Sequence, residues 1–219
     1  MDLSLVHSAI CTVGRLTPNG INLLGTCFLI NKPGIFVTTS HVTNHNDNNL
    51  IVTITPSEIK ISDYQDTSNT AMRYFNAHIV EDDPIHDICL LKCDIINLYN
   101  PIVISSTDNV NVSDKICIIG YPHCIHGRHV LTYQETIIGA KILINNGTIK
   151  TKHIVLNIQT RPGQSGSPVF RYEDSSLIAV IIGSYAPNKM STISLGGIDP
   201  FTLHQTTHAI SSEYISKML

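Results

Sequence analysis

The most informative segment of the chain is a serine flanked by glycines, Arg161-Pro162-Gly163-Gln164-Ser165-Gly166-Ser167-Pro168. Glycines at these positions favour a tight exposed loop, because glycine tolerates positive φ and lets backbone N–H groups approach a ligand closely. A serine hydroxyl becomes a nucleophile only when a base accepts its proton and donors stabilise the oxyanion that forms. The loop can supply those donors as the N–H groups of Gly163 and Ser165. A Gly/Ser turn between two strands is the structural alternative, so other segments must decide between the two interpretations.

Length and composition narrow the class of protein. The chain has 219 residues, of which 14% are charged, and its formal net charge is −3. This length permits one large or two small domains with their own cores. The low charge leaves no basic face to attract nucleic acid or anionic lipid, and no apolar run approaches the length of a membrane span. We therefore expect no nucleic-acid partner and no membrane partner.

The cysteines and the first residues suggest a compartment. Residues 1–7 lack the basic and apolar regions of a secretory signal. Six cysteines lie mostly in apolar, strand-like runs, at Cys11, Cys27, Cys89, Cys93, Cys117 and Cys124. They are typical of reduced core thiols, so we predict a cytoplasmic protein without disulfides. A secreted form without its signal would look similar, although the initial Met1 favours the cytoplasm.

The first half of the chain is predicted to form six short strands. Apolar and β-branched runs separated by turn residues indicate strands at 4–16, 21–30, 35–39, 50–56, 72–80 and 87–93. His41 follows the third strand, and Asp87 opens the sixth. Because Asp87 adjoins a continuous apolar run, its carboxylate needs a partner to stay ionised, whereas Asp82 and Asp83 are typical of a solvated surface loop. Without a convincing helix, this half is a barrel or a sandwich.

The strand pattern restarts after a mixed Asn/Ser/Pro stretch and implies a second barrel. Strands are predicted at 114–120, 130–140, 142–159, 168–172, 176–185, 193–198 and 203–210, with a hairpin turn at Asn146-Gly147. Ser211 or Ser212 can cap a short final helix whose Ile215, Met218 and Leu219 share one face. The predicted division is an N-terminal barrel at 1–97, a linker at 98–112, a C-terminal barrel at 113–210 and the helix at 211–219.

Three segments resemble the chymotrypsin-fold, or trypsin-like, serine peptidases. Their histidine region is similar to Gly25-Thr26-Cys27-Phe28-Leu29-Ile30 with Thr39-Ser40-His41-Val42, their aspartate strand to Asp87-Ile88-Cys89-Leu90-Leu91-Lys92, and their nucleophile loop to the segment from Pro162 to Pro168. Two further segments match, Ile119-Gly120-Tyr121-Pro122 and His208-Ala209-Ile210-Ser211. The nearest patterns are those of bacterial HtrA-type peptidases and glutamyl endopeptidases. The resemblance implies an all-β fold of two antiparallel six-stranded barrels with a short C-terminal helix.

The resemblance also implies that the chain is a serine endopeptidase, and it implies a catalytic role for each of several residues. His41 would be the general base toward Ser165, Asp87 would fix the imidazole tautomer, and the N–H groups of Gly163 and Ser165 would form the oxyanion hole. No cofactor is implied, and the expected partner is a protein or peptide substrate. The alternatives are that His41 is a polar residue ending a strand and that Asp87 pairs with His86 or Lys92.

A pocket for the residue preceding the cut bond is implied in the same way. It would be lined by Thr160, Ile181, Ile182, Gly183, Ser184 and His208. No aspartate lies among these residues, so a preference for Lys or Arg lacks its counter-charge. We expect cleavage after small or medium uncharged residues. Cleavage after an acidic residue is the minority alternative, because Thr160 matches a pocket threonine of glutamyl endopeptidases, although Ile181 stands where that family has its pocket histidine.

Three residues depart from the pattern of the family. Gln164 stands where zymogen-activated trypsins have an aspartate that pairs with a new N-terminal amine, so we expect no activation by propeptide cleavage. Ser167 replaces the second glycine of the trypsin loop, a variant that recurs among glutamyl endopeptidases. Cys27 stands where glycine or alanine is usual.

Other interpretations stay open at this point. The chain is a catalytically silent trypsin-like fold that serves as a protein-binding module, or it is the protease domain of a larger sensor or effector protein with a regulatory partner. A zinc site is a further alternative, because histidine and cysteine bind zinc and cluster at His123, Cys124, His126 and His129. Their spacing fits no standard structural zinc motif, so we predict no metal.

Overall fold

Apolar strands joined by short turns close into two β-barrels in a computed structural model of the protein, which describes residues 6–54, 61–94, 102–185 and 206–219. The strands of the first barrel are β1 (Ile10–Thr17), β2 (Gly20–Leu29), β3 (Ile35–Thr38), β4 (Leu50–Ile54), β5 (Arg73–Asp83) and β6 (Ile88–Cys93). Around the barrel their order is β1-β2-β3-β6-β5-β4. All neighbouring strands are antiparallel, so hairpin turns suffice for most connections.

The second barrel repeats this architecture. Its strands are β7 (Lys115–Gly120), β8 (Thr132–Asn146), β9 (Ile149–Leu156), β10 (Pro168–Arg171), β11 (Leu177–Tyr185) and β12 (Thr206–Ser211). Their order is β10-β11-β12-β9-β8-β7, again with antiparallel neighbours. The predicted all-β fold of two six-stranded antiparallel barrels is therefore confirmed. The strand predicted at 193–198 lies outside the described residues.

Helical structure in the described ranges is short. Two α-helices are present, α1 (Ser40–Thr43) and α2 (Glu213–Lys217), and single 3-10 turns lie at His7–Ala9, Thr107–Asn109 and Cys124–His126. No helix in these ranges has the length and apolar character needed to cross a bilayer.

Some predicted boundaries were wrong. The strand predicted to start at residue 4 begins at Ile10, because residues 7–9 form a 3-10 turn. The strand predicted at 130–140 and the first arm of the hairpin predicted at 142–159 are one continuous strand, β8, which shifts register between Ile138 and Ala140 instead of breaking near residue 141. A β-bulge bends a strand without ending it, and Gly139, which stands at this register shift, marks the bulge in the sequence.

The final helix is shorter than predicted and is not capped as predicted. Ser212 stands at its N-cap position, but its side chain makes no capping hydrogen bond. Its hydroxyl instead donates to the carbonyl oxygen of Leu177 at 2.8 Å, with the carbonyl oxygen of Ser105 at 3.0 Å as the alternative acceptor, which ties the helix to the second barrel. Ile215 is buried, as an apolar helix face requires, whereas Leu219 is exposed.

The core lies partly inside each barrel and partly between them. One cluster joins the interior of the first barrel, including Phe28 and Phe36, to residues from the second half such as Tyr121 and Ile210. A separate cluster fills the second barrel and includes Ile154, Val169, Ile181 and Ala209. Burying a large side chain of this kind stabilises a fold by about 1.5–3 kcal/mol. Where the barrels meet, β2 lies against the loop that follows β9, and the N–H of Thr26 donates to the carbonyl oxygen of Ser165.

Acid is expected to destabilise the fold through two histidines. Burial lowers the pKa of His129 to about 4 and that of His153 to about 4. In an unfolded chain both rings titrate near pH ~6.5, so as the pH falls the unfolded state binds protons first. The free energy of unfolding should therefore fall between about pH 6.5 and about pH 4, by about 3 kcal/mol for each histidine.

Urea titrations near pH 7 and near pH 4.5 measure this loss. His153→Gln should make it smaller, whereas the matched change at the exposed His78 should leave it as in the wild type. A loss of equal size in the wild type and in His153→Gln would show that His153 does not contribute.

Candidate active site

His41 and Asp87 form a two-point contact in the first barrel. His41 lies in α1, directly after β3, and Asp87 lies in the turn that ends at β6. Because β3 and β6 pair, with Thr38 opposite Cys89, the two residues meet at the same barrel end. The Nδ1 atom of His41 lies 2.7 Å from Oδ2 of Asp87, and the backbone N–H of His41 donates to Oδ1 at 2.9 Å. A carboxylate only accepts, so Nδ1 carries the proton and Nε2 is left as the acceptor.

The alternative partners considered for Asp87 are engaged elsewhere. His86 pairs with Asp83 at 2.6 Å and stacks on Tyr214, while the Lys92 amine donates to the carbonyl oxygen of Pro33. Asp87 does not open β6 as predicted, since it precedes the strand with a φ of +54°. This left-handed conformation turns its carboxylate back toward His41.

Ser165 sits in the loop between β9 and β10, against the first barrel. The N–H of Thr26 donates to the carbonyl oxygen of Ser165 at 2.9 Å. Gly25 separates the serine from α1, because a Cβ at this position would lie 3.1 Å from the oxygen of Ser165 and 2.8 Å from Val42. The segments that carry His41 and Ser165 therefore pack on two sides of the same glycine.

The nucleophile loop, residues 161–167, leaves two backbone N–H groups without an acceptor among the described residues, those of Gly163 and Ser165. Pro162 has no N–H to offer. The remaining donors are satisfied at 2.7–3.0 Å, Arg161 by Gln164 Oε1, Gln164 by Arg161 O, Gly166 by Ile181 O and Ser167 by Gln164 O. The two N–H groups without an acceptor are those of the two predicted oxyanion donors.

His123 fixes the direction of the first of these donors. Its backbone N–H donates to the carbonyl oxygen of Pro162 at 2.6 Å. The C=O and N–H of a trans peptide point in opposite directions, so the N–H of Gly163 points away from His123. Gly163 has a φ of +94°, and a Cβ there would lie 2.7 Å from Cys124 Sγ, so this conformation requires glycine.

The hydroxyl of Ser165 is not directed at His41 in this structure. It donates to the carbonyl oxygen of Ile182 at 2.9 Å, and no hydrogen bond to His41 exists among the described residues. Ile182 lies at a register shift in β11, which exposes its carbonyl group toward the loop. A hydrogen bond to His41 Nε2 requires the Ser165 hydroxyl to leave Ile182 by rotation about χ1.

Comparison with known proteins identifies the family. A model of the trypsin-like peptidase domain matches residues 25–180, which include His41, Asp87 and Ser165. The chain belongs to the trypsin-like peptidases. The resemblance of the sequence to the chymotrypsin-fold peptidases is thereby confirmed. No curated protein sequence matches this trypsin-like peptidase significantly.

Two solved structures share its fold. The MamO protease domain from Magnetospirillum magneticum, in its apo form, has 15% sequence identity and a TM-score of 0.70, with 98% of this chain and 97% of that chain covered. The HtrA-type protease AlgW, solved with a decapeptide, has 18% identity and a TM-score of 0.66, with 97% of this chain and 63% of that chain covered. At these identities the likeness shows the fold alone.

Gln164 of this trypsin-like peptidase orders the nucleophile loop from within. Its side chain is fully buried. Its Oε1 accepts the N–H of Arg161 at 2.7 Å, and its Nε2 donates to Oε1 of Gln134 on β8 at 2.5 Å. A neutral amide thus satisfies both its donor and its acceptor inside the barrel, so the loop is ordered without a charged partner for residue 164.

The predicted pocket residues separate into two sets. Thr160 lies beside Thr207, whose hydroxyl accepts the Thr160 N–H at 3.0 Å and donates to the carbonyl oxygen of Ile158. Ile181 is buried in the core of the second barrel. His208 follows Thr207 in β12 and therefore faces the opposite side of the strand, so it does not join Thr160.

The remaining predicted pocket residues belong to β11. Ile182 contributes its carbonyl oxygen to Ser165, and Gly183 follows with a φ of +155° before Ser184. Thr207, the neighbour of His208 in β12, is the residue of this strand that contacts Thr160, as the alternation of side chains along the strand favours.

The acidic pair before Asp87 was wrongly predicted to be a solvated loop. Asp82 and Asp83 end β5 and are partly buried. Asp82 accepts from the Ser40 hydroxyl at 2.5 Å and pairs with His45 at 2.5 Å. These contacts hold both ends of α1 and so support the segment that carries His41. The sequence does not show the contact of Asp82 with Ser40 or with His45, because the partners are about 40 residues apart along the chain.

The possible zinc ligands are dispersed. The rings of His123 and His126 have centroids 6.3 Å apart, Cys124 is buried beside Gly163, and His129 stacks on Tyr121. No group of three or more His, Cys, Asp or Glu residues in the described ranges could hold a metal ion.

Proposed function

We propose that this trypsin-like peptidase is an active serine endopeptidase. His41 Nε2 takes the proton of the Ser165 hydroxyl while Oγ attacks the substrate carbonyl carbon, and the carbonyl oxygen becomes an oxyanion held by the N–H groups of Gly163 and Ser165. The imidazolium, stabilised by Asp87, returns the proton to the leaving amine. Water then attacks the acyl-enzyme with the same base, releasing the acid product and restoring Ser165.

The unpaired donors of the nucleophile loop carry this proposal. A loop that served only as a turn would have no reason to satisfy every other N–H and leave those of Gly163 and Ser165 open. Oxyanion stabilisation is usually the largest single contribution to catalysis in such sites. The N–H of Gly163 is already oriented by the hydrogen bond from His123 to Pro162, so substrate need not reorient this donor.

A fluorophosphonate probe tests the proposal directly. It reacts covalently with a serine only when base and oxyanion donors act together, so we expect one probe per chain, located on Ser165 by peptide mass spectrometry. A protein that stays unlabelled while folded would overturn the proposal.

A second candidate function is supported by the hydrogen bond from Ser165 to Ile182. If this bond persists when substrate is present, the fold is a catalytically silent module that binds a peptide. Such a module would bind peptides without being labelled by the probe or cutting them. The same experiment therefore separates the two functions.

We propose peptides or proteins as the ligand class. The AlgW structure, which has the same fold, was solved with a decapeptide, and this supports a peptide ligand here. The proposal needs no cofactor, because base, nucleophile and donors all come from the chain. Further domains or a regulatory partner are also part of this proposal, since this chain covers 63% of the AlgW chain. The buried thiols lead us to propose a reducing, cytoplasmic setting.

The pocket is expected to select small or medium uncharged residues before the cut bond. Thr160 and Thr207 offer hydroxyls and no charge, and Ile181 fills the adjacent barrel core. An uncharged pocket discriminates through fit alone, by about 1–3 kcal/mol per methylene. In a peptide library we expect kcat/KM to be at least about tenfold higher after alanine or valine than after lysine or arginine.

Thr160→Val serves as the matched variant. It keeps the shape of the pocket wall and removes the hydroxyl, so it should weaken any minor cleavage after acidic residues while sparing cleavage after alanine. Strong cleavage after Lys or Arg would contradict the assignment of the pocket.

A further inference from the structure

Thr26 is a buried residue of the first barrel that binds the nucleophile loop at two points. It lies in β2 and is fully buried. Its N–H donates to the carbonyl oxygen of Ser165 at 2.9 Å, and its hydroxyl donates to the carbonyl oxygen of Gly163 at 2.8 Å. The two residues it holds are those that carry the proposed oxyanion donors.

The hydroxyl of Thr26 also connects to the second barrel. It accepts the N–H of Tyr121 at 3.1 Å, just before the segment in which His123 orients the Pro162 carbonyl group. Its single proton can therefore go only to Gly163. The other neighbour of the Gly163 oxygen is the Cys124 thiol at 3.7 Å, a weak donor that cannot replace the hydroxyl.

Thr26 is closely packed against its neighbours. A Cβ at Gly166 would lie 2.1 Å from the Thr26 oxygen, and one at Gly120 would lie 3.2 Å from the Thr26 hydroxyl. Thr38 donates to the same backbone oxygen of Thr26 at 2.8 Å, which fixes the strand in turn. The Thr26 hydroxyl is thus held in one position, and its hydrogen bond to the Gly163 carbonyl oxygen fixes the position of the loop.

We propose that Thr26 is a positioning residue of the oxyanion hole. By holding the Gly163 carbonyl group, its hydroxyl fixes the peptide that follows and keeps the N–H groups of Gly163 and Ser165 convergent. Thr26 is fully buried and has no hydrogen bond to Ser165 Oγ, so it acts through the loop. The inference rests on the proposed function in that the loop must stabilise an oxyanion.

Thr26→Val and Thr26→Ser form the decisive pair in the full chain. Valine keeps the shape of the threonine side chain and removes its hydroxyl, whereas serine keeps the hydroxyl. We expect Thr26→Val to lower kcat by about 10- to 100-fold, because the oxyanion donors lose their alignment. KM should stay within about threefold, because no contact with substrate is removed. Thr26→Ser should retain kcat within about threefold. Ser212→Ala, which removes a buried hydroxyl that donates to Leu177 far from the loop, should leave kcat unchanged.

Amide hydrogen exchange of the peptide covering residues 161–167 gives a readout that does not depend on turnover. Exchange should be faster in Thr26→Val than in the wild type, Thr26→Ser and Ser212→Ala. If valine prevents folding, Thr26→Ala replaces it in both measurements. Equal exchange and equal kcat in the valine and serine variants would overturn the role of Thr26. An inactive wild type would overturn the proposed function, and the exchange comparison would still decide the role of Thr26.

Discussion

Replacing Ser165 with alanine is expected to lower kcat by about 10⁶-fold while leaving the protein folded, because no other hydroxyl can replace this nucleophile. The only hydrogen bond lost within the described residues is the one to the Ile182 carbonyl group at 2.9 Å. That carbonyl group lies at a register shift and is within reach of water, so stability should change little. Single-turnover hydrolysis of a peptide ester, followed with burst-phase detection, measures the loss.

Ser167→Ala is the matched control for Ser165→Ala. Ser167 lies two positions along the same loop, its hydroxyl has no hydrogen-bond partner among the described residues, and it packs against Gly120. We expect it to retain acyl-enzyme formation. Residual hydrolysis in Ser165→Ala within about 100-fold of the wild type would point to a different nucleophile or to a contaminating peptidase.

The fold could be predicted from the sequence because its signals are local. Each strand shows itself through a short apolar run and the turn residues beside it, and the order of His41, Asp87 and Ser165 is a linear pattern. The hydrogen bond between His41 and Asp87 could therefore be predicted, because the paired strands β3 and β6 position both residues.

The support of the site could not be predicted, because it depends on contacts between distant segments. In the sequence Thr26 does not differ from other strand threonines, and only the structure shows that its hydroxyl donates to the carbonyl oxygen of Gly163, 137 residues away. The direction of the Gly163 N–H depends in the same way on the backbone of His123. Asp82 was assigned to the surface because its partners, Ser40 and His45, come from another part of the barrel. A charge pattern in one segment carries no information about such partners.

Asp87→Asn is expected to leave the fold intact and to lower kcat by about 10⁴-fold. An asparagine oxygen can still accept the backbone N–H of His41, where the aspartate bond is 2.9 Å, so α1 should keep its place. At Nδ1 the amide can present its NH₂ group instead of an acceptor, which favours the tautomer with the proton on Nε2. In that tautomer the ring cannot accept the proton of Ser165, and an imidazolium would lack its counter-charge.

Asp82→Asn is the matched control for this prediction. Asp82 contacts Ser40 at the start of α1 and His45 just beyond its end, and it makes no hydrogen bond or ion pair with His41, so a loss of kcat that arose only from disturbing α1 would appear in both variants. We expect Asp82→Asn to stay within about tenfold of the wild type. The comparison is best made by kcat and KM on one peptide ester, with thermal unfolding of each variant measured in parallel. Near-wild-type turnover in Asp87→Asn would show that Asp87 does not fix the tautomer and would require His41 to be oriented by a contact other than the one at 2.7 Å.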